Sequence, residues 1–391
     1  MLTHNKAVSP FSTDPTSTTM KFTCTQENLS HGLSIVGHLA NKSVTLPILS
    51  HVLVKIEGKA IKLQTTNLEL AVSSVVRGKV DAEGEFTVPA KLFSDFVTLL
   101  PNDHVECAVS EGQLTIASKN VRTQLRGIAS SEFPLIPAVN KVIGFTVPAR
   151  ALREALQQVV FAASASETRP EISGVLFNWN GAGTLTLAAT DSYRLSERQV
   201  PAQGEGGKQH EVIVPARTAH ELLRVLGLAP SADEPVEVAV GENQIGFTVG
   251  AAGLTSRLIE GRYPDYRQII PESAATSVLV ERGALTRAVR SAGLFTRTGL
   301  YDVQLRINSG NKGITVVGRD AQTGEQTVEV PCTVTGSDAT VTLNHRYLLD
   351  GLGAIVSDRV SLQLVDGSSP VVMRPDDNAA GLLYIVMPIK Q

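Results

Sequence analysis

Cysteine is scarce. Cys24, Cys107 and Cys332 are the only three in 391 residues, far apart and with no CxxC spacing. That excludes a disulfide framework and a zinc knuckle, and it fits a reducing compartment. Aromatic residues make up 5% of the chain, with a single tryptophan, and neither sign of charge dominates, the formal net charge being −3. A nucleic-acid partner is therefore not announced by total charge, which leaves room only for a local basic surface. No apolar run approaches the length of a membrane span. Catalytic signatures are missing as well. There is no GxxxxGK[ST]. HELLR, from His220, lacks the second histidine of a zincin. GLGAIV, from Gly351, and GAGTLT, from Gly181, each miss the third glycine of a dinucleotide fingerprint.

What is present is repetition. FTVPAKLFSDFV begins at Phe86, FTVPARALREAL at Phe145 and VIVPARTAHELL at Val212. Each phrase is a short β-type run, a turn residue and an amphipathic helix. In the second, Ala151, Leu152, Ala155, Leu156, Val159 and Val160 share one face at helical spacing. Proline suits the junction because it ends a strand and fits the first helical position. The same grammar recurs more weakly from Met20, Val278 and Val341. Anchored on the strand-ending residues Cys24, Val88, Val147, Val214, Val280 and Leu343, the intervals are 64, 59, 67, 66 and 63 residues. That predicts six units, each of one helix and about four strands.

A slower repeat pairs the units. QTTNLELAV (64–72), AATDSYRLSE (188–197) and VGRDAQTGEQ (317–326) fall in every other interval. SEFPLIP (131–137) and GRYPDYRQIIP (261–271) read as linkers. The expected organisation is an extension over 1–19, disordered because it is rich in Ser, Thr and Pro, then domains over 20–138, 139–272 and 273–391. The fold class is α+β, with two helices packed on antiparallel sheets in each domain. The 1–19 stretch lacks the apolar core of a secretory signal.

Basic residues open the helices. Lys91, Arg150, Arg217 and Arg346 stand three places after their anchors, Arg282 stands one place earlier, and the first unit has Glu27 there. A cation in the first turn sits at the positive end of the helix dipole, the unfavourable end. One reading is a solvated surface inherited through the repeat, which the acidic neighbours Asp95, Glu154 and Glu221 support. The other is a row of cations facing phosphates without reading bases.

The three-fold repeat, with LPILSHVLVKIEG (46–58), TVPAKLF (87–93), ATDSYRL (189–195), GRYPDYRQIIP and the terminal YIVMPIK (384–390), resembles the bacterial DNA polymerase III β subunit family, the sliding clamps. The resemblance runs from Met20 to Gln391 and leaves the N-terminal extension outside. It implies a head-to-tail homodimer closed as a ring, with helices lining the hole and sheets outside. It implies double-stranded DNA as a sequence-independent partner, held through Lys42, Ser43, Lys91, Arg150, Arg169, Arg217, Arg282 and Arg346. Ser166, Pro170 and Glu171 depart from the pattern near Arg169. It implies a pocket for short linear peptides at Ile172, Thr190, Ser192, Tyr193, Arg194, Leu195, Pro264, Ile269, Met387, Pro388 and Ile389, with Leu195, Ile269, Met387 and Pro388 as its apolar floor. The users of that pocket would be the polymerase III catalytic subunit, the clamp loader, other polymerases and repair proteins. Dimer contacts fall on Thr123, Leu294 and Phe295.

The same resemblance implies no cofactor, no metal, no catalysis and no membrane partner, in the bacterial cytoplasm and at the nucleoid during replication. Two alternatives compete. One is a β-rich repeat scaffold that binds peptides without DNA. The other is a hydrolase or transferase using Asp191, Tyr193 and Arg194.

Overall fold

Six strands run straight into six helices in the computed structural model, which describes residues 20–40, 46–166, 168–204, 207–229, 231–296, 299–310, 313–377 and 381–390. The helices are α1 Gln26–Val36, α2 Ala90–Leu99, α3 Ala149–Val159, α4 Ala216–Leu226, α5 Arg282–Gly293 and α6 His345–Ala354. All six follow the expected anchors. The expectations for 1–19 and for Lys42 and Ser43 lie outside the described residues.

The junctions differ from expectation in one detail. Pro89, Pro148 and Pro215 close their strands and stand at the N-cap, one place before the first helical residue. Their ψ values of 113°, 133° and 139° are extended, so the ring restrains the bend itself and not the first turn. These three helices have no side-chain cap. Thr25, Glu281 and Asn344 cap α1, α5 and α6 instead. The first amide of most helices donates to a main-chain carbonyl from elsewhere. Gln26 N donates to Asp103 O, Ala149 N to Glu234 O, Ala216 N to Ser173 O, Arg282 N to Asp358 O and His345 N to Tyr301 O, at 2.8–3.2 Å. Each of these five helix starts is thereby pinned to a sheet or turn through main-chain atoms.

The helices pack in pairs, α1 on α2, α3 on α4 and α5 on α6. In α3 the buried positions are Ala149, Leu152, Ala155, Leu156, Gln158 and Val159, close to the face that the spacing predicts. Compactness divides the chain in two. One unit comprises residues up to Ile143 with 228–230 and Val236–Arg257; the other comprises Gly144–Gly227, Ser231–Pro235 and Leu258 onward. The first contains an antiparallel sheet in the order Gly78–Ala82, Met20–Thr25, His104–Ser110, Gln113–Ser118, Val121–Arg126. A second, nine-stranded sheet includes the run Gln244–Val249, Ala252–Arg257, Leu70–Val76, Ala60–Thr66, His51–Glu57, Gly84–Pro89.

The other unit carries a twelve-stranded sheet in which Arg194–Pro201 pairs with Leu382–Val386. The two units arise because a late strand of one repeat hydrogen-bonds to a strand of the preceding repeat, at Ala252–Arg257 on Leu70–Val76 and at Leu382–Val386 on Arg194–Pro201. The larger core gathers Leu285, Val289, Leu348, Leu352, Met373 and Tyr384, all essentially inaccessible.

Helix α6 meets this core through a glycine. A Cβ at Gly351 would sit 2.2 Å from the Tyr384 ring, whereas one at Gly353 would meet nothing within 4 Å. Gly351→Ala is therefore expected to destabilise the fold by about 1–3 kcal/mol through overpacking. Gly353→Ala is expected to be neutral or stabilising by up to about 1 kcal/mol. Thermal unfolding of the two variants side by side checks both.

Candidate partner pocket and basic helix starts

ATDSYRL forms a tight turn between two strands, built by side chains binding their own backbone. The Asp191 Oδ1 atom accepts from the amides of Tyr193 at 2.9 Å and Arg194 at 3.0 Å. Thr190 Oγ1 accepts from Ser192 N at 3.1 Å and donates to Arg194 O at 2.6 Å. Asp and Thr compete for backbone in this way, which makes them turn formers. The turn forces Ser192 to φ +78°, the left-handed region, without glycine.

Arg194 is the hub. Its side chain is 12% exposed. Its Nε donates to Asp191 Oδ2 at 3.0 Å, its Nη2 to Phe161 O at 2.8 Å, and its Nη1 to the Asp350 carboxylate. The guanidinium lies 4.7 Å from the Tyr347 ring centroid and 5.4 Å from that of Phe161. Burial disfavours the charge, but the charges of Tyr384, Asp191 and Asp350 outweigh it and push the pKa up. Arg194 is thus tied inward on three sides. Tyr193 stacks on Tyr347 at 6.4 Å and keeps 63% of its surface open.

The remaining pocket residues group around this turn with two adjustments. Met387 N donates to Tyr193 O at 2.8 Å, which brings the Met387–Ile389 tail beside the turn, each residue half-buried. Leu195 is fully buried in a cluster with Tyr263, Tyr266 and Ile385, so it supports the turn from below. Ile269 is exposed on a short 3-10 turn, and its neighbour Ile270 packs on the cluster. Ile172 is buried and Pro264 half-buried. Beneath the linker, Tyr266 donates to Glu197 Oε2 at 2.5 Å; burial, then the charge of Glu197, pushes the Tyr266 pKa up. Arg169, assigned above to DNA, donates to Ser192 Oγ at 2.8 Å and faces Glu171 at 3.4 Å. Its guanidinium therefore sits at the rim of this turn.

Phe161, Tyr347, Asp350 and Tyr384 are the residues that sequence reasoning missed. They come from three distant segments and share no motif with ATDSYRL.

Five of the basic helix starts hold side chains of different freedom. Lys91 and Arg150 are exposed and pair one turn on with Asp95 at 2.7 Å and Glu154 at 2.9 Å. Arg217 is exposed, with no ion pair among the described residues. Arg346 is exposed and lies 3.6 Å over the Tyr301 ring. Arg282 is half-buried and donates to Ser357 O at 2.9 Å, so it is the least available of the five. Thr123 lies on the edge strand Val121–Arg126. Leu294 is 78% exposed just past α5, and Phe295 is half-buried. Among the described residues no three or more His, Cys, Asp and Glu form a group that could hold a metal. No described helix is long and apolar enough to cross a membrane.

Removing the hub leaves Asp191 and Asp350 without their cation. Arg194→Ala is expected to cost about 2–4 kcal/mol, with Arg194→Lys recovering part of it, since lysine cannot reproduce the fork. Urea unfolding of both variants measures this.

Three family models tile the chain in order. The N-terminal domain of the DNA polymerase III beta subunit matches residues 20–137, the central domain 146–265 and the C-terminal domain 267–390. The "Beta sliding clamp" of Synechocystis is 31% identical over 393 residues, covering 95% of this chain and 99% of that protein. The clamp of Pseudomonas aeruginosa is 30% identical over 373 residues, covering 95% and 100%. A crystal structure of the P. aeruginosa DNA polymerase III subunit beta superposes with a TM-score of 0.90 at 29% identity, covering 95% of this chain and 100% of that one. The Thermotoga maritima beta subunit gives 0.87 at 25%, with the same coverage. The tandem family matches and these relatives place this chain in the DNA polymerase III beta subunit family, the beta sliding clamps.

Proposed function

We propose that this chain is a DNA sliding clamp that closes with a second copy, head to tail, around duplex DNA. It tethers the replicative polymerase and confers processivity, with no catalysis of its own. The observation that carries this reading is the tandem match of all three beta-subunit domains, with a helix pair in each repeat. The three repeats, over 20–138, 139–272 and 273–391, act as its domains. Lys91, Arg150, Arg217 and Arg346 are the exposed cations for phosphate, with Arg282 and Arg169 in supporting places; Lys42 and Ser43 belong to the same set. Contacts of this kind hold DNA without reading sequence and weaken with salt.

The turn at Thr190–Leu195, with Pro264 and Met387–Ile389, receives short linear peptides from the polymerase III catalytic subunit, the clamp loader and other DNA-processing proteins. Tyr193 offers an open aromatic face, and methionine adapts to varied ligands. Solved relatives support a ligand-binding role, since one P. aeruginosa clamp structure is described as bound to griselimycin. Edge strand Val121–Arg126, with Thr123, and the exposed Leu294 with Phe295 are the surfaces for ring closure, which would cover unpaired strand edges. The bacterial cytoplasm, at the replicating nucleoid, is where such a clamp works.

Sedimentation should give a dimer. After loading, the protein should stay on nicked circular DNA and leave when the circle is cut. The triple variant Lys91→Gln, Arg150→Gln, Arg217→Gln should keep the dimer and shorten retention several-fold. A monomer held equally well on linear DNA would refute the clamp reading. Loss of dimerisation in the triple variant would make those helix starts structural.

A further inference from the structure

The turn at Thr190–Leu195 has a twin. Thr66 Oγ1 donates to Leu70 O at 3.0 Å and accepts from Leu68 N at 3.0 Å. Asn67 Oδ1 accepts from Glu69 N at 3.1 Å and Leu70 N at 2.8 Å. Leu68 takes φ +80° where Ser192 takes +78°. The match extends beyond the turn. Leu70–Val76 pairs with Ala252–Arg257 as Arg194–Pro201 pairs with Leu382–Val386. Arg257 N donates to Glu69 O at 3.0 Å, just as Met387 N donates to Tyr193 O at 2.8 Å. A buried aromatic followed by proline closes each arrangement, Phe133-Pro134 in one and Tyr263-Pro264 in the other.

Side chains around the twin leave an open groove of about 350 Å³. Leu70, Pro134 and Ile136 line it, with Leu135 97% exposed and Leu68 49% exposed at its edge. A leucine held at positive φ with half its surface open has no packing purpose that the turn itself explains. Charge separates the twins. Arg257 stands where the other site has Met387 and Glu69 where it has Tyr193. Arg257 is exposed, with no ion pair among the described residues.

We propose that this groove is a second binding site for a short extended peptide, one that places a bulky apolar side chain next to a carboxylate. The apolar group lies on Leu68, Leu135 and Ile136, and the carboxylate meets Arg257. The proposal rests on reading the Thr190–Leu195 turn as a peptide pocket, because it transfers that chemistry through the repeat. The exchange of Met387 for Arg257 predicts that the two sites take different peptides.

The test uses the full chain and a fluorescein-labelled peptide, acetyl-Ser-Leu-Phe-Asp-Ser-amide, whose Phe carries a photoreactive diazirine. Cross-links should map to 66–71 and 134–137. Arg257→Glu should weaken anisotropy-measured binding at least tenfold, and changing the peptide Asp to Lys should restore it in that variant. Tyr193→Ser, in the other pocket, should leave these cross-links unchanged. Cross-links confined to 190–195 and 385–389 would overturn this inference and leave the first pocket standing; none at either turn would count against both. Binding that emerges only after removal of residues 1–19 would make that segment the occupant and also overturn the proposal. A change of sedimentation mass in Arg257→Glu would do the same in favour of a second copy.

Discussion

Main-chain pairing between successive repeats is the constraint on which the sites depend. Leu382–Val386 lies along Arg194–Pro201, and the next amide, Met387, reaches back to Tyr193 O. A strand pair of this kind allows no slip, because a one-residue shift would turn Leu195 and Ile385 out of their shared cluster. The C-terminal tail is therefore delivered to the Tyr193 turn by register. No side-chain contact needs to find it. The same device at Ala252–Arg257 builds the Thr66 turn, and the two arrangements differ mainly in what their side chains present.

The turn then needs internal support, since a serine at positive φ is strained. Asp191 and Thr190 supply it through backbone hydrogen bonds, and Arg194 clamps the turn to Phe161 and Asp350. This explains why a residue with five donors is turned inward at this turn. A planar guanidinium can satisfy two carboxylates and a carbonyl at once while stacking on Tyr347 and Phe161, and lysine cannot. Tyr193 is left as the open face on a rigid mount.

Much of this was legible in the chain, and the reasons are physical. Repeat spacing located all six helices because each follows a strand whose penultimate residue is buried, and burial leaves a periodic apolar signal. Thr190 and Tyr193 were named through the resemblance carried by ATDSYRL, and its Thr-Asp pair marks a turn because turn chemistry is local. Partners in the Arg194 clamp were not, since Phe161, Tyr347 and Asp350 meet it only through tertiary packing. The resemblance makes Leu195 pocket floor; it is fully buried in the cluster with Tyr263, Tyr266 and Ile385, under the turn. The prolines were placed one position late, because sequence cannot tell a strand-ending N-cap from a first helical residue.

The basic helix starts gain meaning from the amides beside them. A helix N-terminus ordinarily attracts anions through its free N–H groups. Here the first amide of α1, α3, α4, α5 and α6 is already bound to a carbonyl from another segment, and in α3 the second, Arg150 N, is bound to Ala232 O. Those backbone groups are committed to holding the helix on its sheet. An anion approaching these ends finds fewer free amides and is met by side chains, and α3 and α4 carry Arg150 and Arg217 there with no capping acid in the first turn. Side chains on flexible stems hold phosphate loosely and exchange it readily, whereas a rigid amide cradle would fix it at one register. A protein that must stay on DNA and still move along it is better served by the first arrangement.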